Sequence, residues 1–113
     1  MKKQELNIRI FPILEKEFQT KPVQGYKFEY KGFTFILTGN GPYYREWAAS
    51  DFETGFSVDL HGRTRKELIN KIKGNIESGV FTTDSDYRIP MDQYNQYVTN
   101  ALNQFGPINT LDA

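Results

Sequence analysis

The sequence predicts an α+β domain: an antiparallel sheet of four to five strands built from hairpins, with two helices, at about 64–78 and 90–105, packed on one face. Three observations predict it. Aromatic and β-branched residues alternate with polar ones at period two in the first half of the chain, the pattern of half-buried strands. Short turn-forming segments separate these runs, which makes neighbouring strands antiparallel. The second half switches to apolar residues at helical spacing, first after Thr64 and again after Pro90. At 113 residues the chain is long enough for one domain with one modest core, spanning 1–113 with 108–113 as a frayed tail.

In chain order, Glu5–Phe11 begins as a strand, with Leu6, Ile8 and Ile10 on one side and Asn7 and Arg9 on the other. Pro12 stops it, Ile13–Phe18 can add one helical turn, and Lys21–Gly25 reads as a loop. The first hairpin pairs Tyr26, Phe28 and Tyr30 with Phe33, Phe35 and Leu37 around a Lys31-Gly32 turn. Gly39–Pro42 is a second loop. A second hairpin joins Tyr44–Ser50 to Gly55–Leu60 through Asp51–Thr54, with Phe56, Val58 and Leu60 on one face. Its first strand points Arg45, Trp47 and Ala49 one way and Tyr44, Glu46 and Ala48 the other, and the sequence leaves open which set is buried.

Thr64 and Glu67 form a capping box, in which the hydroxyl caps an early amide and the carboxylate reaches back. Leu68, Ile69, Ile72 and Ile76 follow at helical spacing, and Ser78-Gly79 stops the helix. Val80–Tyr87 is a connector whose VFTT can form a short strand. Pro90 opens the last helix, with a stripe of Met91, Tyr94, Val98, Ala101, Leu102 and Phe105. The expected core is Phe28, Phe33, Phe35, Phe56, Val58, Leu68, Ile72, Ile76, Val98, Leu102 and Phe105.

Composition narrows the function classes. Fourteen basic and fourteen acidic residues cancel, so no global basic field for nucleic acid exists. The absence of cysteine removes disulfides, thiolate metal sites and cysteine nucleophiles. No run approaches the roughly 18 apolar residues of a membrane span, and the start lacks a signal-peptide run. The expectation is a cytoplasmic protein with no membrane attachment, no cofactor and no metal. Charge is nevertheless uneven: Arg63, Arg65, Lys66, Lys71 and Lys73 crowd the first helix, and acids dominate after Glu77.

Motifs for chemistry are weak. His61 follows Asp59 at i+2, but no serine or threonine nucleophile is marked by its context, so it reads as a turn histidine. Asp84 and Asp86 lack the further ligands of a calcium loop and read as turn carboxylates. Glu46, Asp51 and Glu53 cluster around the second hairpin, where a small domain offers carboxylates little cleft. The glycines at 39 and 41 lack the following lysine and hydroxyl of a phosphate loop. The catalytic set is therefore empty. The residues expected to meet a partner are Tyr43, Tyr44, Glu46, Asp51, Glu53, Arg63, Arg65 and Lys66. Three bases where the helix dipole favours acids suggest use, and tyrosines can anchor an interface or stack bases.

The segment Gly62, Thr64, Glu67, Leu68, Ile69, a strand running into G-x-T-x-x-E-h-h and a helix, resembles one in HicB-type antitoxins and in small phage and mobile-element proteins. It covers about thirty residues, and its motif is largely a capping box. The resemblance implies a hairpin-rich sheet covered by helices and a role among mobile-element genes. Three functions compete. The first is a non-enzymatic protein-binding module, an inhibitor of a host defence complex of the anti-CRISPR type, whose partner is a nucleic-acid-processing complex. The second is direct nucleic-acid binding, or antitoxin-like regulation, through 63–73. The third is a small enzyme using His61 or the carboxylates. A homodimer follows if the sheet leaves an apolar face uncovered.

Overall fold

The computed structural model describes residues 2–12, 14–39 and 46–110. Five strands, β1 (Lys3–Ile10), β2 (Gln19–Tyr30), β3 (Phe33–Thr38), β4 (Trp47–Asp51) and β5 (Ser57–Gly62), form one sheet in sequence order. Every neighbouring pair is antiparallel. Helix α1 (Arg65–Ser78), a small hairpin of β6 (Val80–Thr82) and β7 (Arg88–Pro90), and helix α2 (Met91–Phe105) complete the α+β fold.

The period-two pattern sets the faces. Tyr26 lies opposite Leu37, Phe28 opposite Phe35 and Tyr30 opposite Phe33. Leu37 in turn faces Ala49, and Phe35 faces Asp51. This face carries the main core: Phe35, Leu37, Ala49, Val58 and Leu60 from the sheet, Leu68, Ile72 and Ile76 from α1, with Phe81 of β6 and Tyr94 of α2. Both helices thus cover the same face, and Trp47 packs against it. On the opposite face Leu6, Ile36 and Phe52 form a second, smaller cluster, with the Lys27 ammonium over the Phe52 ring at 5.0 Å.

Local sequence explains much of this. Lys31 and Gly32 both take positive φ (48° and 85°) in the β2–β3 turn, the geometry that matches strand twist in a two-residue hairpin. Thr64 caps α1 by accepting from the Glu67 amide at 3.1 Å, while the Glu67 carboxylate accepts from the Arg63 amide at 3.1 Å.

Several expectations are corrected. Lys21–Gly25 is not a loop: it is the first half of β2, pairing with β1 from Lys3 opposite Tyr26 to Ile10 opposite Gln19. That half has one neighbouring strand in the sheet, so Pro22 costs no ladder bond on its open side. Phe56 and Phe105 do not join the main core. They form a separate aromatic group near the β1–β2 connection, and Phe105 stays 36% exposed. Phe28, Phe33 and Val98 are only half-buried against the core. Leu37, Leu60, Phe81 and Tyr94, absent from the expected core, are central to it. Ile108 and Asn109 are not frayed: the Ile108 amide donates to Glu53 O at 2.8 Å, and the Asn109 side chain brackets both backbone groups of Asn7 at 3.0 and 2.8 Å. Tyr43, Tyr44 and most of the Gly39–Pro42 loop lie outside the described residues.

β5 carries an irregularity that shapes the neighbouring loop. Two steps on β4, from Ala48 to Ser50, match four on β5, from His61 to Ser57, and Asp59 takes φ 55° inside this bulge. The bulge turns the Asp59 carboxylate to accept from the Ser85 amide at 3.0 Å, and Asp59 O accepts from the Asp84 amide at 2.8 Å. The hydrogen bond from Ser85 holds the Asp59 carboxyl below the usual range. A lowered folded pKa contributes stability that is present above the unfolded value of about 4 and is lost as pH falls through the folded one. Asp59→Ala is expected to cost roughly 1–2 kcal/mol at pH 7, mostly from the left-handed backbone and in smaller part from the solvent-screened hydrogen bond. That cost should shrink at pH 3, as urea unfolding at the two pH values would show. An equal cost at both would mean that the carboxylate contributes nothing as an ion.

Candidate functional site

Because Asp51 lies opposite Phe35, its carboxylate turns toward the helices rather than toward solvent. Its Oδ2 accepts from the Thr54 amide at 2.9 Å and from the Thr54 hydroxyl at 2.8 Å, and the buried Thr54 hydroxyl accepts from the Phe56 amide at 3.2 Å. This organises the β4–β5 turn as an Asx-type turn. Burial pushes the Asp51 carboxyl up, and donors from Thr54, then the Tyr94 hydroxyl and the Glu53 amide, only partly offset it. Glu53, next in the turn, is also raised, by its own burial and then by the Asp51 charge.

Beside this turn is a cavity of about 450 Å³. Phe56 and Val58 line it from the second hairpin, Phe81 and Ile89 from β6–β7, and Tyr94, Val98 and Ala101 from α2. Tyr87 and Tyr97 also line it and remain 69% and 51% exposed, so they form its rim. Its charged lining residues are Asp51 and Asp59, and no base lines it. Tyr94 stacks on Phe81 with centroids 4.8 Å apart. Its hydroxyl lies near enough to Asp51 for burial and that charge to hold its pKa well above the usual tyrosine range. Yet it makes no hydrogen bond of normal geometry, and it is the one buried side-chain polar atom in that state among the described residues. Buried polar groups are nearly always paired, and the Asp51 carboxylate is the partner within reach of this one.

The cavity continues into an aromatic ridge. Phe56, on its wall, contacts Phe18 (4.9 Å between centroids) and Phe105 (5.4 Å), and Phe18 contacts Phe11 (5.0 Å). Phe11 and Phe18 are about half exposed, and Leu14, in the same β1–β2 connection, is 96% exposed. Arg9 supports the ridge from beneath. Its Nε donates to Thr54 O at 2.8 Å and its Nη2 to Gly106 O at 2.8 Å, while the guanidinium lies over Phe56 and Phe105 at 5.7 and 5.3 Å. Single exposed apolar residues are ordinary, but a contiguous set beside a cavity is characteristic of a binding surface.

The sequence-derived site residues fall into separate places. Asp51 lines the cavity, and Glu53 lines a smaller one of about 100 Å³ on the other side of Tyr94. Arg63, Arg65 and Lys66 lie at the opposite end of the β4–β5 hairpin, because Trp47 pairs with Gly62 there. Glu46 is exposed just before β4. The structure therefore does not bring the acidic turn and the basic helix start together. Several bases are engaged at home. Arg65 stacks over Tyr26 at 4.4 Å and reaches Trp47 at 5.8 Å, Lys73 lies over Tyr30 at 5.3 Å, and Lys71 pairs with Asp84 at 3.3 Å. Arg63 and Lys66 are exposed and make no ion pair among the described residues.

His61 pairs with Asp84 rather than with Asp59. Asp84 Oδ2 accepts from the His61 amide at 2.7 Å and lies 3.0 Å from its Nδ1. Asp84 thus ties β5, α1 and the β6–β7 loop together, a positional role rather than that of a free turn carboxylate. Among the described residues no group of three or more His, Cys, Asp or Glu could hold a metal ion, and no helix is long and apolar enough to cross a membrane.

Sequence reasoning missed Tyr87, Tyr94 and Tyr97 as site residues. A signal was present for Tyr97, an aromatic residue lying off the apolar stripe of α2. Comparison of the chain with protein-family models, with curated proteins and with solved structures finds no match.

Proposed function

We propose that this chain is a small non-enzymatic protein-binding module, of the kind with which phages and mobile elements inhibit a host defence complex such as a CRISPR effector. The observation that carries the binding role is the exposed aromatic ridge running from Phe11 and Phe18 through Phe56 into the cavity rimmed by Tyr87 and Tyr97. Large aromatic side chains beside a desolvated pocket are the usual energetic anchors of protein interfaces. The small size and the segment around Thr64 support the mobile-element setting.

Tyr97→Glu tests it. The tyrosine is half exposed on α2, so its replacement should leave the fold intact. The partner that wild-type protein captures in its host should be bound at least about 30-fold more weakly by the variant, the scale of losing one hot spot. Inhibition of host interference should fall with it, and Lys66→Glu should change neither. Unchanged capture by Tyr97→Glu would overturn the ridge and pocket as the interface. The exposed Arg63 and Lys66 favour a second reading, direct nucleic-acid binding. In that case Lys66→Glu is the damaging change, and binding weakens steeply with salt.

A further inference from the structure

The cavity between the β4–β5 turn, the β6–β7 hairpin and α2 has an unusual lining for a purely apolar anchor site. Its rings are Phe56, Phe81, Tyr87, Tyr94 and Tyr97, and its charges are the two acids Asp51 and Asp59 with no base. Asp59 is committed to the Ser85 amide. Asp51 is not paired with any cation among the described residues: its Oδ2 takes two neutral donors from Thr54, and its other neighbouring donors, the Tyr94 hydroxyl and the Glu53 amide, are neutral too. The Tyr94 hydroxyl next to it is buried, makes no hydrogen bond of normal geometry, and has the Asp51 carboxylate as the acceptor within reach. A phenol can donate to a carboxylate and accept from an ammonium or guanidinium at the same time. A volume of about 450 Å³ is within the range that holds a ligand group.

We propose that this cavity receives a basic side chain, lysine or arginine, from the protein partner, its apolar stem against the rings and its cation at Asp51 and Tyr94. The inference rests on the protein-binding reading and names the anchor it takes. Three features argue for this occupant over an apolar one. A half-buried carboxylate without a counter-ion is costly, and a cation relieves that cost. Aromatic faces attract cations, most strongly away from water. An acidic side chain would meet two like charges, which supplies discrimination as well as affinity.

The test uses three small probes against the full chain, followed through backbone amide NMR shifts: N-acetyl-lysine methylamide, its uncharged counterpart N-acetyl-norleucine methylamide, and N-acetyl-glutamate methylamide. The lysine probe should shift the amides of Thr54, Tyr97, Val98 and Ala101 saturably, about 10-fold more tightly than norleucine. The glutamate probe should leave them unmoved. Asp51→Asn should erase the lysine preference while retaining norleucine binding. Should that variant fail to fold, Tyr94→Phe keeps the ring and removes the hydroxyl, and it should narrow the lysine preference several-fold with norleucine unchanged. Equal or tighter norleucine binding, lysine shifts located away from these amides, or a preference indifferent to the folded variants would each overturn the proposal. Equal binding of lysine and norleucine would still leave an apolar anchor pocket, so the protein-binding reading would stand. That reading falls separately, if Tyr97→Glu leaves partner capture intact.

Discussion

Phe35→Ala is expected to be the most destabilising single truncation in this protein, at about 3–5 kcal/mol. Phe35 is fully buried at the point where the sheet meets the second half of the chain. Its ring stacks with Phe81 of β6 (6.4 Å between centroids, 26° between planes) and lies 6.5 Å from Tyr94 of α2. A small domain has only about 5–15 kcal/mol in total, so the loss approaches the margin. The single tryptophan, Trp47 in β4, gives a fluorescence signal for urea unfolding. The midpoint should fall sharply. Because Phe35, Phe81 and Tyr94 together back the cavity wall, the variant should also lose the probe-induced shifts at Tyr97 and Val98 even where it stays folded. Phe28→Ala is the control: Phe28 lies directly opposite Phe35 on β2 but is only half-buried. An equal loss at the two positions would mean that the ring stack is not the centre of the fold.

Gly55→Ala is the second large effect, expected at about 2–5 kcal/mol from left-handed strain and steric overlap together. Gly55 sits at φ 76°, and a Cβ there would lie 2.3 Å from Ile108 Cδ1, 2.8 Å from Arg9 N and 3.1 Å from Ile8 C. This is where the first strand, the β4–β5 turn and the segment after α2 meet. The Arg9 amide donates to Gly55 O at 2.8 Å, the Ile108 amide to Glu53 O at 2.8 Å, and Asn109 Nδ2 to Phe52 O at 2.8 Å. Gly32→Ala is the matched comparison, because its φ is 85° but its Cβ would enter open space. It should cost only the conformational part, about 1–2 kcal/mol. Thermal unfolding of both variants measures the difference. Replacing Ile108 with alanine in the Gly55→Ala background should recover part of the loss, since the closer of the two overlaps is then removed. Equal costs at positions 32 and 55 would show that the contact among these segments contributes little.

What was legible in the sequence was local. The Thr64–Glu67 box and the Leu68, Ile72, Ile76 stripe are complete within one helix, so a helix and its buried face follow from about fifteen residues. The Lys31-Gly32 turn and the alternating rings beside it needed only the strand period. Lys21–Gly25 misled because a proline and a glycine in five residues carry turn propensity. The pairing of β1 with that segment, a non-local interaction, overrode it. Asp51 and Glu53 looked like a solvated turn for the same reason. Nothing within the turn reveals that Asp51 stands opposite Phe35 on the covered face, or that α2 passes over it. The basic segment also changed its meaning in three dimensions. Arg65 and Lys73 spend their cations on the rings of Tyr26 and Tyr30, so only Arg63 and Lys66 remain presented to solvent without an ion pair among the described residues.

By itself, then, the sequence determined the class of the fold, the hairpin pairing of the central strands, both helices and the capping of the first. Each of these depends on interactions between residues a few positions apart. The tertiary structure decided which carboxylate is turned toward the helices, which histidine partner is real, and where exposed aromatics gather into one surface. Those properties depend on which distant segments share space. Tyr87, Tyr97 and Phe56 come from three elements, and only the packing of α2 and the β6–β7 hairpin against the sheet makes them neighbours around one cavity.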